Sequence, residues 1–168
     1  MGKITITDDI LAPSDTLKIR FEGRNPFVAT TVVSSMLRYI MKVSAKDILE
    51  TDIRWDSLGA PKKEFYGRWL GKRAEDNWSR TFIRVLIQGT QDSTDKTGWC
   101  RIELKGTIIT NYEYTNFLQR ALWWMYNYSF YYKQRRKYIE EGKDLMFQMR
   151  EHMQRTLGIL PPDATFQT

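Results

Sequence analysis

The carboxy-terminal third of the chain constrains the fold most. Residues 115–157 contain no proline, and Gly142 is the one glycine among them. An aromatic run opens the segment: Trp123, Trp124, Tyr126, Tyr128, Phe130, Tyr131 and Tyr132. A basic cluster follows at once: Lys133, Arg135, Arg136 and Lys137. Proline and glycine are the residues least compatible with a helix interior, so the segment predicts one long helix, or two joined near Gly142. Phe117, Ala121, Trp124, Tyr128, Tyr131, Tyr138, Leu145, Met149 and Met153 recur at steps of three and four and form an apolar seam, interrupted by Arg135 and Gly142. A continuous helix of about 43 residues would be about 65 Å long. Its aromatic half has to be wrapped by a sheet, a partner subunit, a membrane surface or a bound ligand.

The remaining composition narrows the class. A length of 168 residues suits a single domain, 1–168, with 158–168 an irregular tail containing Pro161 and Pro162. Hydrophobic residues at 42% and charged residues at 27% supply a core and argue against disorder. The net charge of +6 gives a mild attraction to polyanions, because 26 basic side chains are interspersed with 20 acidic ones. Cys100 is the only cysteine, which excludes an intrachain disulfide and a cysteine zinc site. His152 is the only histidine and sits near the end of the long helix, where it favourably meets the helix dipole. No metal and no cofactor is expected. The first residues lack the apolar core of a signal peptide, and no apolar run reaches the ~18 residues of a membrane span. The densest run, 121–132, carries Asn127 and Ser129. The expectation is a cytoplasmic protein.

Upstream, residues 3–7 and 17–22 alternate with period two and read as strands. Asn25–Pro26 reads as a helix start, with Asn25 as the cap of a helix over 27–43. Ser44 could cap a short second helix through residue 49. Residues 51–56 read as a strand and 57–61 as a turn. Three longer alternating segments follow, 63–75, 78–90 and 99–114, with polar turns at 74–77 and 89–98. Consecutive hairpins are the simplest connection. The predicted fold is α+β, a curved antiparallel sheet of five or six strands gripping a long carboxy-terminal helix.

With strand 17–22, the Asn25–Pro26–Phe27 helix start, the hairpin series 63–114 and the terminal helix in place, the layout resembles the START-like helix-grip superfamily. That superfamily includes polyketide cyclases and lipid- or hormone-binding proteins. The resemblance is one of architecture, without a residue motif. It implies a hydrophobic or aromatic small molecule held between sheet and helix, without catalysis. Ligand-binding candidates are Trp124, Tyr128, Tyr131 and Arg135 on the helix, with Trp69 and Arg84 from the sheet. The aromatics would bury the ligand and the arginines would orient an acidic group.

Other readings remain open. Basic residues interleaved with aromatics can bind phosphates and stack bases. That alternative, an RNA- or ribosome-associated protein, would use Lys72, Arg73, Lys133, Arg135, Arg136 and Lys137. A third reading is a homo-oligomer built through the long helix. Glu50, Asp52 and Asp56 fall within seven residues, with Asp52 and Asp56 on one strand face with Arg54; they could form an acid/base or metal-binding edge, though a solvated strand face with an ion pair explains them better. Gly67 and Gly71 mark close packing in a strand, and Cys100 reads as a small buried residue.

Overall fold

The computed structural model describes residues 1–56 and 61–159. The expected turn at 57–61 and tail at 158–168 fall mostly outside these residues. The fold is α+β, an open, curled antiparallel sheet of six strands with two helices packed on one face. The strands are β1 (Gly2–Asp9), β2 (Leu17–Arg24), β3 (Ile48–Asp56), β4 (Lys62–Ala74), β5 (Ser79–Asp92) and β6 (Thr97–Tyr114). Strands β3 to β6 form the predicted meander. β6 is long enough to serve two partners along its other edge. Its first half pairs with β2 from Arg24↔Thr97 to Leu17↔Leu104. Its second half pairs with β1 from Asp9↔Thr107 to Gly2↔Tyr114.

Helix α1 (Val28–Met41) buries Ala29, Val33, Met36, Leu37, Ile40 and Met41 against the sheet. Its start differs from expectation. Asn25 adopts a left-handed backbone, φ 55°, and gives no side-chain cap. The Phe27 amide donates instead to Gln91 Oε1 of β5 at 3.1 Å, so a neighbouring strand satisfies the helix end. The short second helix shrinks to a 3₁₀ turn, Ala45–Asp47, in which Ser44 Oγ donates to Asp47 at 2.7 Å.

The terminal helix runs as α2 (Phe117–Tyr126), a π turn (Asn127–Tyr131) and α3 (Tyr132–Thr156). Asn116 caps it, accepting from the Gln119 amide at 2.8 Å, while Gln119 Oε1 accepts from the Thr115 amide at 2.8 Å. The helix does not break at Gly142. At that glycine the helix passes close to the body, since a Cβ there would lie 2.8 Å from Ile10 Cδ1. Ile10 is fully buried in the link between β1 and β2, and it also touches Gly106 of β6. Tyr138, Leu145, Met146, Met149 and Met153 of α3 complete the core with Ile83, Val85, Ile87, Ile102, Leu104 and Ile108 of the sheet.

The irregularity falls at the π turn, and it corrects the predicted seam. Downstream, Tyr138, Leu145, Met149 and Met153 are buried as expected. Upstream and within the turn, Phe117, Trp124 and Tyr128 are exposed, at 82%, 44% and 87%, and Trp123 and Asn127 are buried instead. A π turn takes up one residue more than an α turn. Everything on its amino-terminal side is therefore rotated by about 100° relative to a regular helix. Trp124 is not a core residue, and steps of three and four through the turn misplace it.

If the π turn absorbs one residue, deleting exposed Ser129 should convert it to regular helix while leaving α2 and α3 facing as they do. The variant should melt cooperatively within about 5 °C of the parent. Non-cooperative melting would show that the turn is not an inserted residue.

Candidate ligand-binding groove

The most apolar of the described grooves lies between α1 and β3–β4. It has a volume of about 490 Å³ and is lined by Phe27, Thr30, Thr31 and Ser34 on one side and by Ile53, Trp55, Phe65 and Trp69 on the other. Phe27, Thr31 and Ser34 share one flank of the helix at steps of four and three. This flank adjoins the stripe that enters the core. The strand side depends on a β-bulge. Between Glu50 and Asp52 the register slips, with Glu50 opposite Trp69 but Asp52 opposite Arg68. The extra residue turns Glu50, Ile53 and Trp55 all toward the helical layer. Without it, alternation would send Glu50 and Ile53 to opposite faces.

Three rings make the end wall. Phe27 meets Trp55 edge-on at 4.5 Å and Phe65 edge-on at 5.5 Å, and Trp55 stacks on Phe65 at 6.3 Å. The Trp69 indole lies over Gly67, where a Cβ would come within 2.2 Å of the ring. Glu50 Oε1 accepts from Ser34 Oγ at 3.0 Å and from Trp69 Nε1 at 3.3 Å. The groove therefore combines aromatic walls with one positioned carboxylate.

A second polar assembly fixes the long helix. Asp76, in the β4–β5 connection, accepts from the Trp78 and Ser79 amides, both at 2.7 Å. It also accepts from the Tyr131 and Tyr138 hydroxyls at 2.7 and 2.9 Å. Tyr131 has one proton and spends it on Asp76. Ser79 must then donate to Tyr131 at 2.7 Å, and Thr110 to Ser79 at 2.6 Å. Burial raises the Tyr131 pKa, helped by the Asp76 carboxylate, so the phenol stays a donor. Burial alone would raise Asp76, but its four hydrogen bonds outweigh that and hold it below the usual carboxylate value. Arg135 is buried on α3 and grips Asp8 of β1, with Nη2 2.6 and 2.7 Å from the two carboxylate oxygens.

The six sequence-derived ligand residues are not brought together. Trp69 lines the groove. Arg84 alternates with buried Ile83 and Val85 and so lies on the sheet face turned away from the helices. Trp124 and Tyr128 point outward on α2 and the π turn, whereas Tyr131 and Arg135 are committed to Asp76 and Asp8. The residues of the nucleic-acid alternative are scattered too. Lys72 lies on the outer sheet face, Arg73 pairs with Glu75 at 2.7 Å and Arg135 is buried. Lys133, Arg136 and Lys137 are exposed on the helix. Arg54 does pair with Asp52, at 3.0 Å. Cys100 is buried, and burial pushes its pKa up to about 11, which leaves an inert thiol. Among the described residues no cluster of His, Cys, Asp and Glu could hold a metal ion. None of their helices is long and apolar enough to cross a membrane.

No family model matches the sequence, and no characterised protein matches it. Solved structures show weak likenesses. Activated Cyt2Ba monomer from Bacillus thuringiensis subsp. israelensis is similar with a TM-score of 0.35 and 9% identity, over 64% of this chain and 74% of that one. A delta-endotoxin has a TM-score of 0.34 and 11% identity, over 66% and 62%. A Staphylococcus aureus protein of unknown function has a TM-score of 0.24 and 11% identity, over 88% and 99%. At these TM-scores the likenesses carry no argument about fold or activity.

The Asp76 anchor gives a pH signature. Its folded pKa lies below the unfolded value of about 3.9, so its stabilisation is complete above that pH and is lost as pH falls through the folded pKa. Asp76→Asn should cost roughly 1–3 kcal/mol at neutral pH and flatten the acid limb of the stability profile. Equal melting of variant and parent at pH 7 and at pH 3 would remove Asp76 as an anchor.

Proposed function

We propose that this chain is a non-catalytic binding protein for a small, flat, apolar molecule that carries a hydrogen-bond donor, seated in the groove between α1 and β3–β4. The observation that carries this reading is the groove itself, with Phe27, Trp55, Phe65 and Trp69 as aromatic walls and Glu50 at its side. Its volume lies in the range of about 300–1,000 Å³ typical of ligand sites, and an apolar lining with few placed polar groups is the usual pattern. A hydroxyl, amide or amine on the ligand would meet Glu50 Oε2, since Oε1 already accepts from Ser34 and Trp69. The space under α3 is occupied by protein, with Met146, Met149 and Met153 fully buried there. That packing favours a ligand beside α1 over one beneath the long helix.

Phenylnaphthylamine, a neutral fluorophore with one N–H donor, tests the proposal. It should bind the parent protein with one-to-one stoichiometry and quench Trp55 and Trp69. Thr31→Trp fills the groove from an exposed position and should weaken binding by about tenfold or more, equivalent to roughly 1.4 kcal/mol. Absence of saturable binding, or binding indifferent to Thr31→Trp, would eliminate the groove as the site.

A further inference from the structure

We infer that the outward face of α2 and the π turn is a docking surface for an anionic lipid bilayer. At about 100° per residue, Phe117, Leu118, Leu122, Trp124, Met125 and Tyr128 share one side of the helix, and all are exposed. Trp123 and Asn127, on the opposite side, are buried against the body. The apolar side of this amphipathic helix thus faces away from the protein. Contiguous exposed apolar surface of this kind marks an interaction site.

Charge selects the occupant. Residues 114–139 contain no aspartate or glutamate. Arg120, Lys133, Arg136 and Lys137 are exposed beside the aromatic face. Arg120 and Arg136 lie over the Tyr114 and Tyr132 rings at 5.7 and 6.0 Å, and Lys137 is 3.8 Å from Glu141. Among the described residues, Arg120, Lys133 and Arg136 make no ion pair with a carboxylate. A second copy seated on this face would bring its own cations against these, at a cost in repulsion. Anionic headgroups would neutralise them. Trp and Tyr favour the headgroup level of a bilayer, and helices that lie in the interface plane combine such an apolar side with flanking Lys and Arg. The surface shares no residue with the groove, so the two proposals stand or fall separately.

Co-sedimentation with phosphatidylcholine vesicles, with and without phosphatidylserine, tests the inference. The full chain should pellet with the phosphatidylserine vesicles and be released by salt. The triple variant Leu122→Ser, Met125→Ser, Tyr128→Ser changes only exposed side chains and should keep its melting temperature while losing binding by about tenfold or more. Lys133→Gln with Arg136→Gln should weaken binding by about tenfold or more and abolish the preference for phosphatidylserine. Failure to bind either vesicle would overturn the inference. So would binding that the folded triple variant retains. Concentration-dependent dimers in light scattering that the triple variant abolishes, without vesicle binding, would assign the face to a second copy.

Discussion

The helical layer depends on a pair of part-buried polar anchors, Asp76 with Tyr131 and Tyr138, and Asp8 with Arg135. Apolar packing alone does not fix the rotation of a helix whose aromatic residues occur on nearly every side. A carboxylate with directional donors does, because leaving it or the buried guanidinium unpaired costs more than any single ring contact returns. Both anchors reach α3 at its first two turns or at the π turn. They come from different places, the β4–β5 connection and strand β1, so together they set both position and rotation. The Thr110–Ser79–Tyr131–Asp76 chain extends this hold into β5 and β6.

Two surfaces follow from that hold. With Tyr131 and Arg135 turned inward, the π turn carries Asn127 and Trp123 inward as well, and the rings on the other side of α2 face out. The same helical layer leaves the flank of α1 nearest β3 uncovered. There the bulge at Glu50 turns a carboxylate and two apolar side chains toward the helix. Neither surface follows from composition. Each arises where the backbone departs from its regular period, by one residue in a helix and by one residue in a strand.

That is also where sequence reading stops. Alternation in 79–92 and 97–114 reveals the meander because each strand has one buried face, as with Ile83, Val85 and Ile87. The three–four repeat of Tyr138, Leu145, Met149 and Met153 reveals α3 for the same reason. A single inserted residue has no compositional signature. The repeat extrapolated through 127–131 therefore places Trp124 and Tyr128 inside, and the bulge after Glu50 leaves that carboxylate in what looks like a solvated acidic edge. Trp69 is legible as a candidate because it is a large aromatic on a strand. Phe27, Thr31 and Ser34 are not, since a lateral helix flank reads as ordinary surface beside the stronger core stripe.

Thiol accessibility across the turn tests the central claim most directly. In a Cys100→Ala background, single cysteines placed at each position from 122 to 130 report which side of the helix is covered. A π turn predicts slow modification at 123 and 127 and fast modification at 124, 125 and 128. Protection at 124 and 128, with faster reaction at 123, is the pattern of a regular helix. It would contradict both the rotation of α2 and the outward aromatic face.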